Sequence, residues 1–160
     1  MFNLDNVVLS NPSHYRQLNC GDSLITIFNC PLKNKYEDAW SHFNYIVYVI
    51  EGRKIWHTAH GSYELRKDSC MFVRKGAFIV EQFFDAAICI VFFFIPDEFI
   101  CDVLKTKSKP IANDEKKFAP IMAINNNTMV QVFFQSMMPH FDSISEPDTA
   151  LLELKFRELV

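Results

Sequence analysis

Two histidines and a glutamate lie close enough in the sequence to suggest a metal site. His57 and His60 are three residues apart, and Glu64 follows four residues later. Imidazole and carboxylate groups are common ligands of zinc, iron and manganese. Residues three apart on an extended strand point to opposite faces, however, so one strand cannot aim both imidazoles at one ion. We therefore interpret His57 as a strand-edge residue and His60 as a turn residue.

The five cysteines are the other candidates for chemistry, as nucleophiles or as zinc ligands. They lie at positions 20, 30, 70, 89 and 101. Such wide gaps fit neither a disulfide framework nor a CxxC zinc site, so we expect reduced and mostly buried thiols. The sequence also contains no G-x-S-x-G, P-loop or G-x-G-x-x-G motif. We predict no enzyme, no catalytic residue and no cofactor.

Short runs of β-forming residues occupy the middle of the chain. They are separated by turn residues and lie at 45–50, 54–58, 63–66, 70–74, 78–84 and 88–95. Strands of this length at this spacing predict an antiparallel sandwich or barrel. The first forty residues give weaker signals, with one strand predicted at 24–28 and a polar stretch after it.

A helical period replaces the strand pattern after Pro96. The spacing of apolar residues predicts a helix over 97–104, a second over 127–138 ended by Pro139, and a last one beginning near the Ser145 cap. Residues 105–117 indicate a polar loop, and 121–124 a short strand. Because the apolar pattern of the last helix continues to residue 160, we expect a domain cut from a longer protein.

Composition limits the class of protein. The chain has 160 residues, is 49% hydrophobic and carries a formal charge of −3, as expected for one globular domain without the positive field of a DNA-binding protein. Its longest apolar run, Ala86–Ile95, is far shorter than the roughly 20 residues of a membrane-spanning helix. There is also no secretory signal, so we predict a cytoplasmic location and no membrane association.

Two segments carry a resemblance to a known family. The stretch GRKIWHTAHGSYELRKDSCMFVRKGAFIVEQFF and the tail LLELKFREL resemble the N-terminal cupin-like domain of AraC-type transcriptional regulators, in particular the type III secretion activators. The resemblance implies a mainly β fold, a jelly-roll barrel over about 20–96, followed by two or three α-helices over about 97–160. It implies a single domain, 1–160, that senses a small-molecule effector or a regulatory protein. It also implies a homodimer formed by the helices, and a DNA-binding helix-turn-helix domain after residue 160.

The cupin resemblance raises the question of a metal again. In the metal-binding pattern of cupins, Thr58 and Ile79 stand where histidines are expected, and neither side chain replaces an imidazole. We therefore predict no metal. Two alternatives remain open, a small metal-dependent cupin enzyme and a free-standing cupin that binds a small molecule.

A ligand would lie inside the barrel. Counting in steps of two from Ile79 predicts that residues 81 and 83 face inward, where a carboxylate needs a partner. The predicted pocket consists of Tyr48, Trp56, Glu81 and Phe83, with the carboxylate orienting a polar or cationic ligand group. Alternatively, the carboxylate pairs with Arg53 or Lys54 or lies at an open barrel edge, or the barrel is filled and the signal is another protein.

The last helix carries an apolar stripe. Leu152, Phe156 and Leu159 lie at i, i+4 and i+7, which is one face of a helix. With the family resemblance, this stripe predicts the seam of the homodimer. The alternative is that the stripe packs on the barrel of its own chain.

Overall fold

The computed structural model describes residues 1–13, 15–29, 34–106, 119–125, 128–142 and 147–159. In this part of the chain, eleven strands form two sheets, and the longer helices follow the barrel. The strands are β1 Phe2–Asn3, β2 Gln17–Cys20, β3 Ser23–Asn29, β4 Tyr36–Ser41, β5 Asn44–Glu51, β6 Arg53–Thr58, β7 Gly61–Arg66, β8 Cys70–Val73, β9 Gly76–Gln82, β10 Cys89–Ile95 and β11 Ile121–Ile124. The helices are α1 Leu4–Leu9, α2 Asp97–Lys105, α3 Thr128–Asp142 and α4 Thr149–Leu159. The predicted fold class, a jelly-roll barrel followed by helices, is confirmed.

The eleven strands are divided between two sheets. One sheet has five strands in the order β1-β4-β9-β6-β7, and the other has six in the order β11-β8-β5-β10-β3-β2. All pairs are antiparallel except β1 with β4. The inner faces of the two sheets enclose one hydrophobic cluster, which we call the interior.

Aromatic side chains fill the interior. The Phe28 ring packs against Phe92 with centroids 5.5 Å apart, and Tyr45 contacts the same phenylalanine at 5.5 Å. The Trp56 indole nitrogen donates a 3.0 Å hydrogen bond to the Tyr45 hydroxyl. This bond satisfies both polar groups in a place from which water is excluded.

A second cluster lies on the outer face of the six-stranded sheet, under α3 and α4, and we call it the helix layer. Its helix residues are Phe133, Phe134, Met137, Leu152 and Phe156. The Phe134 ring stacks on Tyr48 of β5 with centroids 4.5 Å apart, and Phe156 contacts Phe93 of β10 at 4.9 Å. Both helices therefore bury their apolar faces against the sheet of their own chain.

Strand β10 contributes to both clusters. Its side chains alternate, so that Phe92 and Phe94 point into the interior while Phe93 and Ile95 point into the helix layer. A strand buried on both faces has no polar positions, which explains the uninterrupted apolar run in the sequence.

The turn between β5 and β6 depends on a glycine. Gly52 has a φ of +84°, which side chains disfavour, and a Cβ atom there would lie 2.5 Å from the carbonyl oxygen of Ala87. The hairpin thus approaches the segment before β10 as closely as backbone atoms allow.

Several elements differ from the sequence prediction. Helix α3 does not end at Pro139 but continues to Asp142, because Met138 and Phe141 pack against the helix layer and hold the last turn in place. Helix α4 begins after Asp148, whose carboxylate accepts the backbone N–H of Ala150 at 2.8 Å.

Some sequence predictions concern residues that the structure does not describe. The Ser145 cap, Cys30 and residues 107–117 of the predicted loop lie outside the described residues.

Candidate functional site

Strand β9 presents the opposite face from the one that the sequence predicted. Phe78, Val80 and Gln82 point into the interior, whereas Ile79 is 43% exposed and Glu81 lies on the outer face. The predicted inward orientation of Glu81 is therefore wrong. The reason is local packing, because Val80 lies opposite Trp56 in the register of β6 and β9 and completes the apolar interior.

Glu81 is the centre of a hydrogen-bonded cluster on that outer face. Its carboxylate accepts bonds from His57 Nε2 at 2.9 Å and from the Tyr36 hydroxyl at 3.2 Å, and Lys35 Nζ lies 3.4 Å away. His57 Nδ1 lies 2.7 Å from the Ser62 hydroxyl. The Glu81 carboxylate therefore forms an ion pair, but with Lys35 rather than with Arg53 or Lys54, the partners considered from the sequence.

The side chains of this cluster are linked in the same order as a catalytic triad, which consists of a nucleophile, a base and a carboxylate. The Ser62 hydroxyl, the His57 ring and the Glu81 carboxylate follow one another, as in hydrolases. Ser62 is exposed on an open sheet face, and its hydrogen bond with His57 joins β7 to β6. We interpret the cluster as a link between β4, β6, β7 and β9.

The hydrogen bonds lower the pKa of Glu81. The bond from His57 contributes most, and the bonds from Tyr36 and Lys35 add to it, while partial desolvation opposes them. Each of these partners favours the ionised carboxylate. Because the pKa is lower in the folded chain than in the unfolded chain, ionised Glu81 stabilises the fold above the unfolded pKa. That contribution is lost as the pH falls through the folded value.

We expect Glu81→Gln to lower the melting temperature by a few degrees at pH 7. The difference from the parent protein should disappear at a pH below the folded pKa of Glu81, where the parent carboxyl group is also neutral. Thermal melts at both pH values measure this, with the exposed Glu51→Gln as control. An equal difference at both pH values would show that the lost stability comes from packing and not from charge.

The remaining predicted pocket residues lie apart from Glu81. Trp56 is buried in the interior, whereas Tyr48 is buried on the other side of its sheet, in the helix layer. The Tyr48 hydroxyl donates to the Asp68 carboxylate at 2.9 Å, and burial raises the pKa of Tyr48 to about 12. Phe83 lies under the guanidinium of Arg53, 3.8 Å from it. Trp56, Tyr48 and Glu81 lie on different faces of the two sheets and so do not line one pocket. Contact of any of the predicted pocket residues with a ligand stays a prediction.

The interior itself is nearly full. A cavity between the two sheets measures about 20 Å³ and is lined by residues that include Phe28, Trp56, Phe78 and Lys54. This volume holds about one water molecule, while small-molecule pockets measure roughly 300–1,000 Å³. Lys54 is 4% exposed, with its ammonium group 5.8 Å from the Phe28 ring centre. The interior thus contains a buried cation, and the cavity beside it is too small to enclose a ligand in this conformation.

The predicted dimer stripe packs within the chain. Leu152 and Phe156 are 4% and 0% exposed in the helix layer, and Leu159 is partly buried against it. The prediction that Leu152 and Phe156 are available to a second chain is wrong, because β10 and its neighbours already bury them. Both side chains instead pack on the barrel of their own chain, which is the alternative stated in the sequence analysis.

The metal candidates also lie apart. His57 is on the outer face of β6, and His60 is in the exposed turn that follows it. Among the described residues, no three histidine, cysteine, aspartate or glutamate side chains come together in a way that would hold an ion. Cys70 is buried, which raises the pKa of its thiol to about 12, and Cys101 is exposed.

A comparison with known sequence families identifies the family to which this chain belongs. Residues 44–160 match the family described as the ExsA N-terminal regulatory domain, and this match covers most of the chain. The chain belongs to this family. As an ExsA-type regulatory domain, it is part of a class of transcription regulators, in agreement with the AraC-type resemblance of its sequence. No curated protein sequence matches the chain.

Solved structures share the fold of this ExsA-type regulatory domain. Apo ToxT K231A from Vibrio cholerae strain SCE256 superposes with a TM-score of 0.65 at 13% identity, over 89% of this chain and 55% of that one. Wild-type ToxT from the same strain, with an unsaturated fatty acid bound, gives 0.58 at 10% identity, over 86% and 52%. The AraC-like activator CuxR gives 0.56 at 10% identity, over 91% and 52%. The chain therefore spans about half the length of these activators.

No helix in the described ranges combines the length and the apolar character that crossing a membrane requires.

Proposed function

We propose that this ExsA-type regulatory domain receives its signal through contact with another protein at its outer surface, and not through a ligand enclosed in the barrel. The observation that carries the proposal is the nearly filled interior, with its cavity of about 20 Å³. An enclosed effector would have to displace several aromatic side chains, each of which contributes strongly to the core. The outer surface offers larger open clefts.

An enclosed anionic amphiphile is the second candidate, because Lys54 is a buried cation among aromatic rings. Wild-type ToxT binds an unsaturated fatty acid, and a carboxylate head group would find a charged partner at Lys54. The tail would then need space that Phe28, Phe78 and their neighbours occupy in this conformation.

The substitution Val80→Ile distinguishes the two candidates, because it adds one methylene to the wall of the interior cavity. If the signal is a protein at the surface, transcription driven by the full regulator should respond to its natural signal as in the parent. If the signal is enclosed, the response should be lost. A reporter assay measures this, with the exposed Ile79→Val as control and a thermal melt to confirm folding. Loss of the response in a folded Val80→Ile regulator would overturn the proposal.

We further propose that the regulator forms a homodimer through the solvent-facing sides of α3 and α4. Exposed apolar residues lie there, with Met129 75%, Val132 54%, Leu151 42% and Leu154 67% exposed. Like the dimer seam expected from the sequence, this one uses the C-terminal helices, but it uses the face that the fold leaves open.

Replacing Leu151 and Leu154 with lysine should give a folded monomer. Both side chains point to solvent in the single chain, so the change should cost less than about 0.5 kcal/mol of folding free energy. In a dimer, the same lysines would be buried in an apolar seam. Sedimentation of this variant and the parent measures the result. A variant that stays dimeric would exclude this seam.

The proposal assigns no catalytic step to the domain and places it in the cytoplasm, where a transcription regulator meets its promoter. DNA contact would belong to a further domain of the full regulator. The formal charge of −3 supports this division, because phosphate binding needs an excess of basic residues.

A further inference from the structure

A groove with an apolar floor runs across one end of the barrel. It combines two clefts of about 330 and 360 Å³, which share Gly21 and Asp22 of the β2–β3 turn and Pro96 and Glu98 at the start of α2. The first cleft extends towards Leu9 of α1, and the second extends between α2 and α4. We call the whole feature the end groove.

The floor of the end groove is apolar. Phe43, Phe94 and Pro96 line it, together with Leu9, which is 48% exposed. In the second cleft, Phe99 continues the apolar surface. An exposed leucine beside aromatic and proline side chains provides a site for an apolar side chain of a partner.

The rim of the end groove is acidic. Asp22 and Glu98 border both clefts, and within the described part of the chain no basic nitrogen lies within 4.0 Å of either carboxylate. The other rim charges are compensated, since Arg157 pairs with Glu153 at 3.1 Å and Lys105 pairs with Asp102 at 3.0 Å. Both carboxylates therefore border the two clefts without a basic partner among the described residues.

We infer that the end groove binds a segment of a partner protein that carries an apolar side chain flanked by lysine or arginine. The inference rests on the proposed control by protein contact, for which it specifies the surface and the chemistry of the partner. A basic segment neutralises Asp22 and Glu98, and its apolar side chain covers Leu9 and Phe43. The same carboxylates repel nucleic acid phosphates and acidic membrane surfaces.

The apolar lining of the groove favours a peptide segment over a small cation. Its apolar floor adds nothing to the binding of a bare ion, whereas an amphipathic helix in a groove uses both the floor and the rim. Oppositely charged rims also accelerate the encounter of two proteins and select the correct partner.

The test uses a fluorescently labelled helical peptide of leucine and lysine, with a leucine and glutamate peptide as its counterpart. Binding is measured by fluorescence anisotropy at low ionic strength. The variant Asp22→Lys/Glu98→Lys removes the acidic rim. The matched control, Asp38→Lys/Glu51→Lys, makes the same change in net charge at exposed positions outside the groove.

We expect the rim variant to bind the lysine peptide at least about tenfold more weakly than the parent. The control should lose less than about threefold, and the glutamate peptide should not bind the parent. Equal losses in the two variants would overturn the inference, because they would reveal an effect of net charge alone. If the rim variant does not fold, Asp22→Asn/Glu98→Gln takes its place with the same criteria.

The inference and the proposed function fail in different ways. If the end groove does not bind the lysine peptide while Val80→Ile leaves the transcriptional response intact, control by protein contact stands and the groove is excluded. If Val80→Ile abolishes the response, the proposed function fails whatever the peptide does.

Discussion

Placing lysine at both Leu152 and Phe156 is expected to unfold the domain. Both side chains are almost completely buried in the helix layer, and the Phe156 ring lies 4.9 Å from that of Phe93. Truncating a buried phenylalanine costs about 3–5 kcal/mol and truncating a buried leucine about 2–5 kcal/mol, and an unpaired buried charge costs more. Because small domains are stable by roughly 5–15 kcal/mol, the double change removes most or all of the stability. Circular dichroism and sedimentation measure the outcome.

The matched control places lysines at Leu151 and Leu154, on the other side of the same helix. This pair keeps the helical sequence and the charge change but leaves the helix layer intact, so the chain should fold. A folded monomer from the Leu152 and Phe156 double variant, with a dimeric parent, would contradict our assignment and restore the seam that the sequence predicted.

Replacing Gly52 with alanine is expected to have the second largest effect. The new Cβ would meet the Ala87 carbonyl oxygen at 2.5 Å and the Ile88 Cα at 3.1 Å, and both are backbone atoms that cannot turn away. The unfavourable φ of +84° adds a cost of about 1–2 kcal/mol, and the overlap adds roughly 1–3 kcal/mol. Chemical denaturation of the variant gives the change in folding free energy.

Gly21→Ala is the control that measures only the cost of placing a side chain at a positive φ. Gly21 has a φ of +57°, but nothing lies within 4 Å of its added Cβ. This variant should lose only the conformational cost of about 1–2 kcal/mol. Equal losses at the two positions would mean that the close approach of the hairpin to Ala87 contributes nothing.

The central strands could be predicted because runs of β-forming residues lie between clear turns. Strand β4 gave a weaker signal, since its inward side chains include the small Ala39 and Ser41 while Glu37 and Asp38 dominate its composition. Strand β1 and helix α1 are too short for a period to emerge, and they depend on tertiary contacts, in which Asp5 accepts the backbone N–H of His42 at 2.9 Å.

The candidate site was harder to predict from sequence for two physical reasons. Phe78, Ile79 and Val80 are consecutive apolar residues, so the sequence does not show which residues of β9 point inward. The inward face of the strand is therefore predicted wrongly. The end groove draws on residues as distant as Leu9, Glu98 and Glu153. Only the folded chain brings such residues together.

Strand β10 couples the barrel to the C-terminal helices mechanically, because its side chains pack into both clusters. Phe92 and Phe93 are neighbours in the chain, yet one packs against Phe28 and Tyr45 while the other packs against Phe156. A shift of this strand strains the contacts on both sides at once, because densely packed interiors transmit displacement. A load applied at the barrel therefore reaches α4 through a single peptide bond, without a hinge or a moving loop between them.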